Sequence, residues 1–331
     1  MILCALLVLA HQDTTLVAAR DILAQQTKDG AITMSKIGEA ESTVNPYSGC
    51  IAADGLLAAY AHTKDSAYLD GAIQWADWYA SHQNPDGTIY DYKGHNGAWA
   101  STKQFDSSDS YAAVNLEFVW RLWHSDPGEQ WVRVHALSVG RAIEGVELTL
   151  QPSGLTIAKP TYPVMFTMDN VESLKGLRAA VSLESVLGDR FRADHVKSEA
   201  DKMAAAIQSQ EWDESREAYR AAVQVDGGKQ EGLSAWYPDV ITNLMAVAWL
   251  PTSQRNADLY SRLYAKFGDG IPASIKDQNE LARLVWWGWA AKGAGDQQLL
   301  DEIRARLAGF DATCAGGCDP GLLGHVAMLC Q

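Results

Sequence analysis

The sequence predicts an all-α fold, an (α/α)6 toroid of six helical hairpins with short extended or β-hairpin segments at one rim. Three observations predict it. One phrase (polar helix, Gly turn, short extended stretch, helix rich in small apolar residues) occurs six times along 331 residues. It recurs roughly every 45 to 75 residues, in or somewhat above the range of repeat architectures. The second helix of each phrase carries too little charge for a polar face, so it is buried on most sides. Such a hairpin cannot bury its apolar face alone, so six close on one another.

The elements follow in order. The first outer helix is expected at 12–27, ends in the turn Lys28-Asp29-Gly30-Ala31-Ile32, and leads to an inner helix at 47–61. The second hairpin pairs 66–82 with 108–123 across Pro85-Asp86-Gly87-Thr88-Ile89, and the third pairs 128–149 with 170–187 across Pro152-Ser153-Gly154. The fourth and fifth pair 191–210 with 238–250 across Val225-Asp226-Gly227-Gly228, and 254–266 with 279–292 across Gly268-Asp269-Gly270. The sixth is degenerate: 296–308, then Cys318-Asp319-Pro320-Gly321 opening 320–329. Outer helices carry the charge, as in Lys197-Ser198-Glu199-Ala200-Asp201-Lys202, with apolar residues at helical spacing. Inner helices carry runs such as Ile51-Ala52-Ala53 and Ala112-Ala113-Val114, whose small side chains permit close packing around a narrow axis.

With 47% hydrophobic and 21% charged residues the chain has ample material for a large core. No linker or low-complexity run divides it, so residues 11–331 read as one domain. The net charge of −14, without a Lys/Arg cluster, argues against nucleic acid and anionic membranes as partners. Residues 1–10, Met-Ile-Leu-Cys-Ala-Leu-Leu-Val-Leu-Ala, read as the apolar core of a signal peptide or as the start of the first outer helix. The first reading predicts a secreted or periplasmic protein, the second a cytoplasmic one, and ten residues are too few to span a bilayer. Cys314 and Cys318 are spaced to close a small disulfide loop, with Cys330 as a competitor, which suits export. Oligomeric state is not legible.

All six loops that lead into inner helices fall at one rim, where a rigid scaffold usually carries its site. The densest acidic cluster there is Phe105-Asp106-Ser107-Ser108-Asp109-Ser110-Tyr111. Asp106 and Asp109 have the spacing of an N-cap and a first-turn acid, yet the neighbouring serines make one of them redundant as a cap. Asp169 and Glu172 repeat that pattern after Phe166 and also match a capping box. Asp239 follows Trp236 and Tyr237, an acid beside flat apolar faces, and Asp54 lies one turn into the first inner helix, where a lone buried acid needs a partner. Tyr47, Trp99, Tyr111, Phe166, Trp236 and Tyr237 in the rim loops are candidate sugar-stacking faces, and His95 is the one histidine read at the rim. The tryptophans within helices, including Trp249, Trp286, Trp287 and Trp289, read as packing. No metal-ligand spacing is present and no cofactor is called for.

Repeated Asp-Gly turns, inner helices that open with acids, and the segment 105–113 resemble the six-hairpin, (α/α)6-barrel glycoside hydrolases. That resemblance covers the whole chain as architecture and is specific around 105–113, more loosely 169–172 and 236–239. It implies an enzyme that hydrolyses a poly- or oligosaccharide with one carboxyl protonating the leaving oxygen and a second activating water, by inversion. The catalytic candidates are Asp109, with Asp106 as its alternate, and Asp169 or Asp239. Tyr47, Asp54, His95, Trp99, Tyr111, Phe166, Glu172, Trp236 and Tyr237 are candidate substrate contacts. Two other readings stand beside it. A polysaccharide lyase would use His95, Tyr92 or Tyr111 as base and Arg121 or Lys103 as cation, and a glycan-binding protein would keep the ring without chemistry. Terpenoid cyclases share helical toroids, but neither their Asp-rich diphosphate motif nor their zinc set is present.

Overall fold

The structure, a computed structural model, describes residues 13–35, 41–95, 97–230, 233–308, 310 and 318–331. In chain order, α1 (Thr14–Ala24) leads through β1 (Ser42–Val44) into α2 (Pro46–Thr63). Then α3 (Ser66–His82) leads through the hairpin β2 (Tyr92–His95) and β3 (Ala98–Ser101) into α4 (Ser108–Trp123). Next, α5 (Asp126–Val134) and α6 (Ala136–Glu147) lead through β4 (Val164–Phe166) into α7 (Thr167–Leu187). After α8 (Arg190–Ala206) come β5 (Trp212–Asp213), β6 (Ala218–Tyr219), β7 (Ala222–Gln224) and β8 (Lys229–Gln230), then α9 (Ile241–Trp249). The last elements are α10 (Gln254–Phe267), α11 (Gln278–Ala294), α12 (Gln297–Leu307) and α13 (Pro320–Cys330).

The inner helices form a closed ring: α2 packs on α4, α4 on α7, α7 on α9, α9 on α11, α11 on α13, and α13 returns to α2. Most outer helices bridge two consecutive inner ones, as α6 does between α4 and α7 and α12 between α11 and α13. Small residues set the inner spacing. A Cβ at Gly324 of α13 would stand 2.0 Å from the Ile51 carbonyl oxygen of α2, so only glycine lets these helices meet there. Trp75, Trp287, Tyr79 and Phe118 fill the space between the two layers.

The rim is built as expected from turns that hand over to antiparallel ribbons. At Gly87 the chain takes φ +83 and passes so close to α6 that a Cβ would meet the Arg141 oxygen at 1.8 Å. β1, β2 and β3 form one sheet, β4, β7 and β8 a second, and β5 with β6 a third. Side-chain amides then fix turns to helices: Asn170 of α7 accepts from the Thr156 N–H at 2.7 Å, and Asn243 of α9 does the same for Tyr219 at 2.8 Å.

Several boundaries differ from the sequence reading: α1 ends at Ala24, α7 begins at Thr167, α8 ends at Ala206 and α9 begins at Ile241. The third outer helix, expected unbroken over 128–149, is interrupted at His135, which takes φ −101, ψ 24 and bonds back to Trp131 before α6 begins. The fifth turn is a single 3-10 turn, Gly268–Gly270. Cys318 is disulfide-bonded, while Cys50 and Cys330 are free. Its expected partner, Cys314, lies outside the described residues, as does the apolar segment 1–10. Among the described residues no helix is long and apolar enough to cross a membrane.

Candidate active site

A cleft of about 370 Å³ opens at the rim where the inner helices begin. All six contribute: Tyr47 and Ser48 from α2, Ser110 and Tyr111 from α4, Asp169 and Glu172 from α7, Met245 from α9, Trp286 from α11, and Asp319 leading into α13. Asp106, Ser107 and Tyr237 complete its wall.

None of the acids of the two expected capping pairs serves as an N-cap. Ser107 occupies the N-cap of α4 but its hydroxyl makes no cap bond, and α7 is preceded by Phe166, so Asp169 and Glu172 form no capping box. The Ser107 hydroxyl turns instead to two carboxyls. It donates to Asp109 Oδ1, stands 3.0 Å from Asp169 Oδ2, and accepts from Ser110 Oγ at 2.9 Å. A serine hydroxyl has one proton. If that proton goes to Asp109, the bond to Asp169 needs a proton on Asp169 itself.

The electrostatics agree with that count. Burial, opposed by bonds from the Ser107 hydroxyl and the Ser110 N–H, lifts Asp109 to about 6. Burial in the cleft wall and the neighbouring Asp109 and Glu172 charges push Asp169 well above the ordinary aspartate range. Glu172 forms the floor. Its burial raises it to about 8 in spite of a 2.5 Å bond from the Tyr47 hydroxyl and the charge of Lys175. Asp109 is fully buried behind Ser107, whereas Asp169 is half-buried and Asp106 is exposed, so only the last two present carboxyls to the cleft. Tyr111 reaches the cleft through its ring, its hydroxyl engaged with Asn45 at 2.6 Å and Asp91 at 3.1 Å.

Beneath Glu172 lies a compartment of about 30 Å³, the space of about one water. Glu117 pairs there with Lys175 at 2.8 Å and Arg121 at 2.9 Å, and Arg121 reaches Asp54 at 3.4 Å. Burial alone would raise Glu117, but its two cations hold it down to about 2. For Asp54 the balance reverses: burial outweighs Arg121 and lifts it to about 7. Lys175 Nζ sits 3.7 Å from the Trp249 ring centroid, and burial among tryptophans lowers His325 to about 3.

Several expected site residues stand elsewhere. Asp239 does not line the cleft; its carboxylate accepts from the Ser234 and Ala235 N–H groups, both at 3.0 Å, and so closes the turn into α9. Asp54 lies in the lower compartment. Trp99 donates to Asp29 at 2.8 Å on β3, His95 is exposed on β2, and Trp236 packs under the Arg283 guanidinium; none of the three lines the cleft. Phe166 joins Tyr162 in an adjoining lobe. The residues cast for a lyase are also not brought together: Tyr92 is buried against Trp78, Arg121 is ion-paired below the floor, and Lys103 lies over Tyr90. Residues that sequence reasoning missed are Ser107, Glu117, Lys175, Asp319 and His325. Trp286, read as packing, faces the cleft. Glu117 and Lys175 did carry a signal, each being a charge in mid-helix.

Among solved structures, a mannosylglycerate hydrolase of family GH63 from Thermus thermophilus, bound to glucose, superposes with TM-score 0.69 at 12% identity, covering 96% of this chain and 99% of that one. This chain has the six-hairpin (α/α)6 fold. An inactive variant of an α-1,6-mannanase, GH76A of Salegentibacter sp. HEL1_6 in complex with α-1,6-mannotriose, matches the six-hairpin chain at TM-score 0.62 and 12% identity, covering 97% and 98%. An uncharacterized conserved protein from Thermus thermophilus matches at 0.67 and 12%, covering 96% and 99%. The sequence matches no protein-family model and no curated protein.

Proposed function

We propose that this six-hairpin protein is a glycoside hydrolase that cleaves a poly- or oligosaccharide with two carboxyl groups and inverts the anomeric centre. Asp169 donates its proton to the glycosidic oxygen as the C–O bond breaks. Asp106 takes a proton from water as the water oxygen bonds to the anomeric carbon from the opposite face. Asp109 never touches the sugar; as an anion behind Ser107 it is a positioning residue that favours the protonated form of Asp169. Glu172 and Tyr47 hold the sugar from below, and Tyr237, Trp286 and Phe166 offer flat faces.

The observation that carries the reading is the single Ser107 proton facing two carboxyls, only one of which reaches the cleft. The structural neighbours support the reaction class: those named by activity are glycoside hydrolases. A polymeric substrate outside the cell would suit the disulfide at Cys318, a bond of a kind that persists in oxidising compartments.

Purified protein is assayed against a polysaccharide panel, reading reducing ends and ultraviolet absorbance together. The expected result is new reducing ends without an absorbing product, lost by roughly 10²–10⁴-fold in Asp169→Asn at near-unchanged melting temperature. An absorbing product would mean elimination, and binding without turnover would mean a glycan-binding protein.

A further inference from the structure

We infer that the cleft is the middle of a groove and that the enzyme cuts inside an uncharged glycan chain, with sugar sites on both sides of Asp169. The inference rests on the hydrolase reading and adds its mode of attack and substrate class.

Two further cavities adjoin the central cleft. The first lobe, about 490 Å³, is lined by Lys159, Thr161, Tyr162 and Phe166 and shares Asp106, Ser107, Asp169 and Tyr237 with the central cleft. The second lobe, about 460 Å³, is lined by Gln278, Asn279 and Leu322 and shares Tyr47, Trp286 and Asp319 with the cleft. The two lobes have no residue in common, so they leave the cleft on different sides. The reacting carboxyls stand at the junction of the first lobe with the cleft, leaving the cleft and second lobe beyond them.

An enzyme that removes one terminal sugar needs a closed pocket behind the scissile bond. Here each lobe alone has the size of a whole small-molecule site, about 300–1,000 Å³. The wall of the first lobe is open to solvent: Tyr162 is 48% and Tyr237 67% exposed. Both lobes carry aromatic faces, Tyr162 with Phe166 in one (ring centroids 6.1 Å apart) and Trp286 in the other. Amides and a hydroxyl, Gln278, Asn279 and Thr161, suit sugar hydroxyls.

Charge selects the chain. Asp169 and Glu172 are held toward their protonated forms, so the acids that charge the groove are Asp106 at the first lobe and Asp319 at the second, against Lys159 among the described lining residues, whose ammonium already donates to the Phe105 carbonyl at 2.9 Å. A uronate polymer would meet like charge along the groove.

The probes are reducing-end-labelled hexasaccharides of mannose, glucose and N-acetylglucosamine, the matching polymers, and polygalacturonate. Internal cleavage is expected, with labelled products of two to four sugars and polymer viscosity falling ahead of reducing ends. Phe166→Ala and Trp286→Ala, in opposite lobes, are expected to move the preferred cut in opposite directions along the hexasaccharide, each weakening KM about tenfold. Exclusive release of a single sugar from one end overturns the inference and leaves the hydrolase reading intact, as does preference for polygalacturonate. Absence of cleavage of any probe overturns both.

Discussion

Glu172→Gln isolates one buried carboxyl whose ionisation the fold opposes. The glutamine keeps the shape and an acceptor for the Tyr47 hydroxyl but cannot ionise. In the folded protein burial raises Glu172 from 4.5 to about 8. A carboxyl raised on folding binds its proton more tightly in the native state, so its contribution to stability is fully present below the unfolded value and declines as pH rises toward the folded one. From pH 4.5 to about 7.5 the wild type should lose about 4 kcal/mol on this account, three pH units at about 1.4 kcal/mol each, as a ceiling. Asp54, Asp109 and Asp169 act in the same direction but are present in both proteins, so the difference between them reports Glu172 together with its coupling to Asp169. Urea unfolding at about pH 4.5 and 7.5, read by tryptophan fluorescence, measures it. The wild type should lose more stability than the variant over this interval. Parallel pH dependences would refute the placement of Glu172 as a buried cleft floor.

Ser107→Ala removes the hydroxyl between Asp109 and Asp169; kcat is expected to fall about 10- to 100-fold, the worth of one hydrogen bond to a charged group, with KM little changed and Ser107→Thr restoring most of it. Steady-state kinetics on the best polysaccharide decide this, and an unchanged kcat would remove Ser107 from the mechanism. Asp239→Ala should cost about 1–2 kcal/mol of stability by releasing the Ser234 and Ala235 N–H groups while leaving kcat intact. Loss of kcat at full stability would return Asp239 to the chemistry.

The ring was legible because each hairpin announces itself locally. Asn45 before Pro46, Asp277 before α11 and Asp319 before Pro320 all cap the helices that the sequence starts there. The break at His135 carries no such mark, since no glycine or proline stands near it and its backbone bonds are made on both sides. The density of acids at 106–109 and 169–172 pointed to the rim at which the cleft opens. Their division of labour did not follow from spacing, because Asp109 and Asp106 differ by burial, which depends on how α4 is rotated. Asp239 is held in its own turn by the Ser234 and Ala235 N–H groups, a contact that its neighbours in sequence do not announce. Trp286 and Trp287 show the limit plainly: adjacent and identical, one faces the cleft and the other the space between layers.

The proton that the proposed mechanism requires on Asp169 is open to direct observation by infrared difference spectroscopy of the protein against its Asp169→Asn variant near neutral pH. A lost protonated-carboxyl band in the variant is the predicted result. A lost carboxylate band instead, with the protonated band intact, would show Asp169 ionised at rest and contradict its role as proton donor.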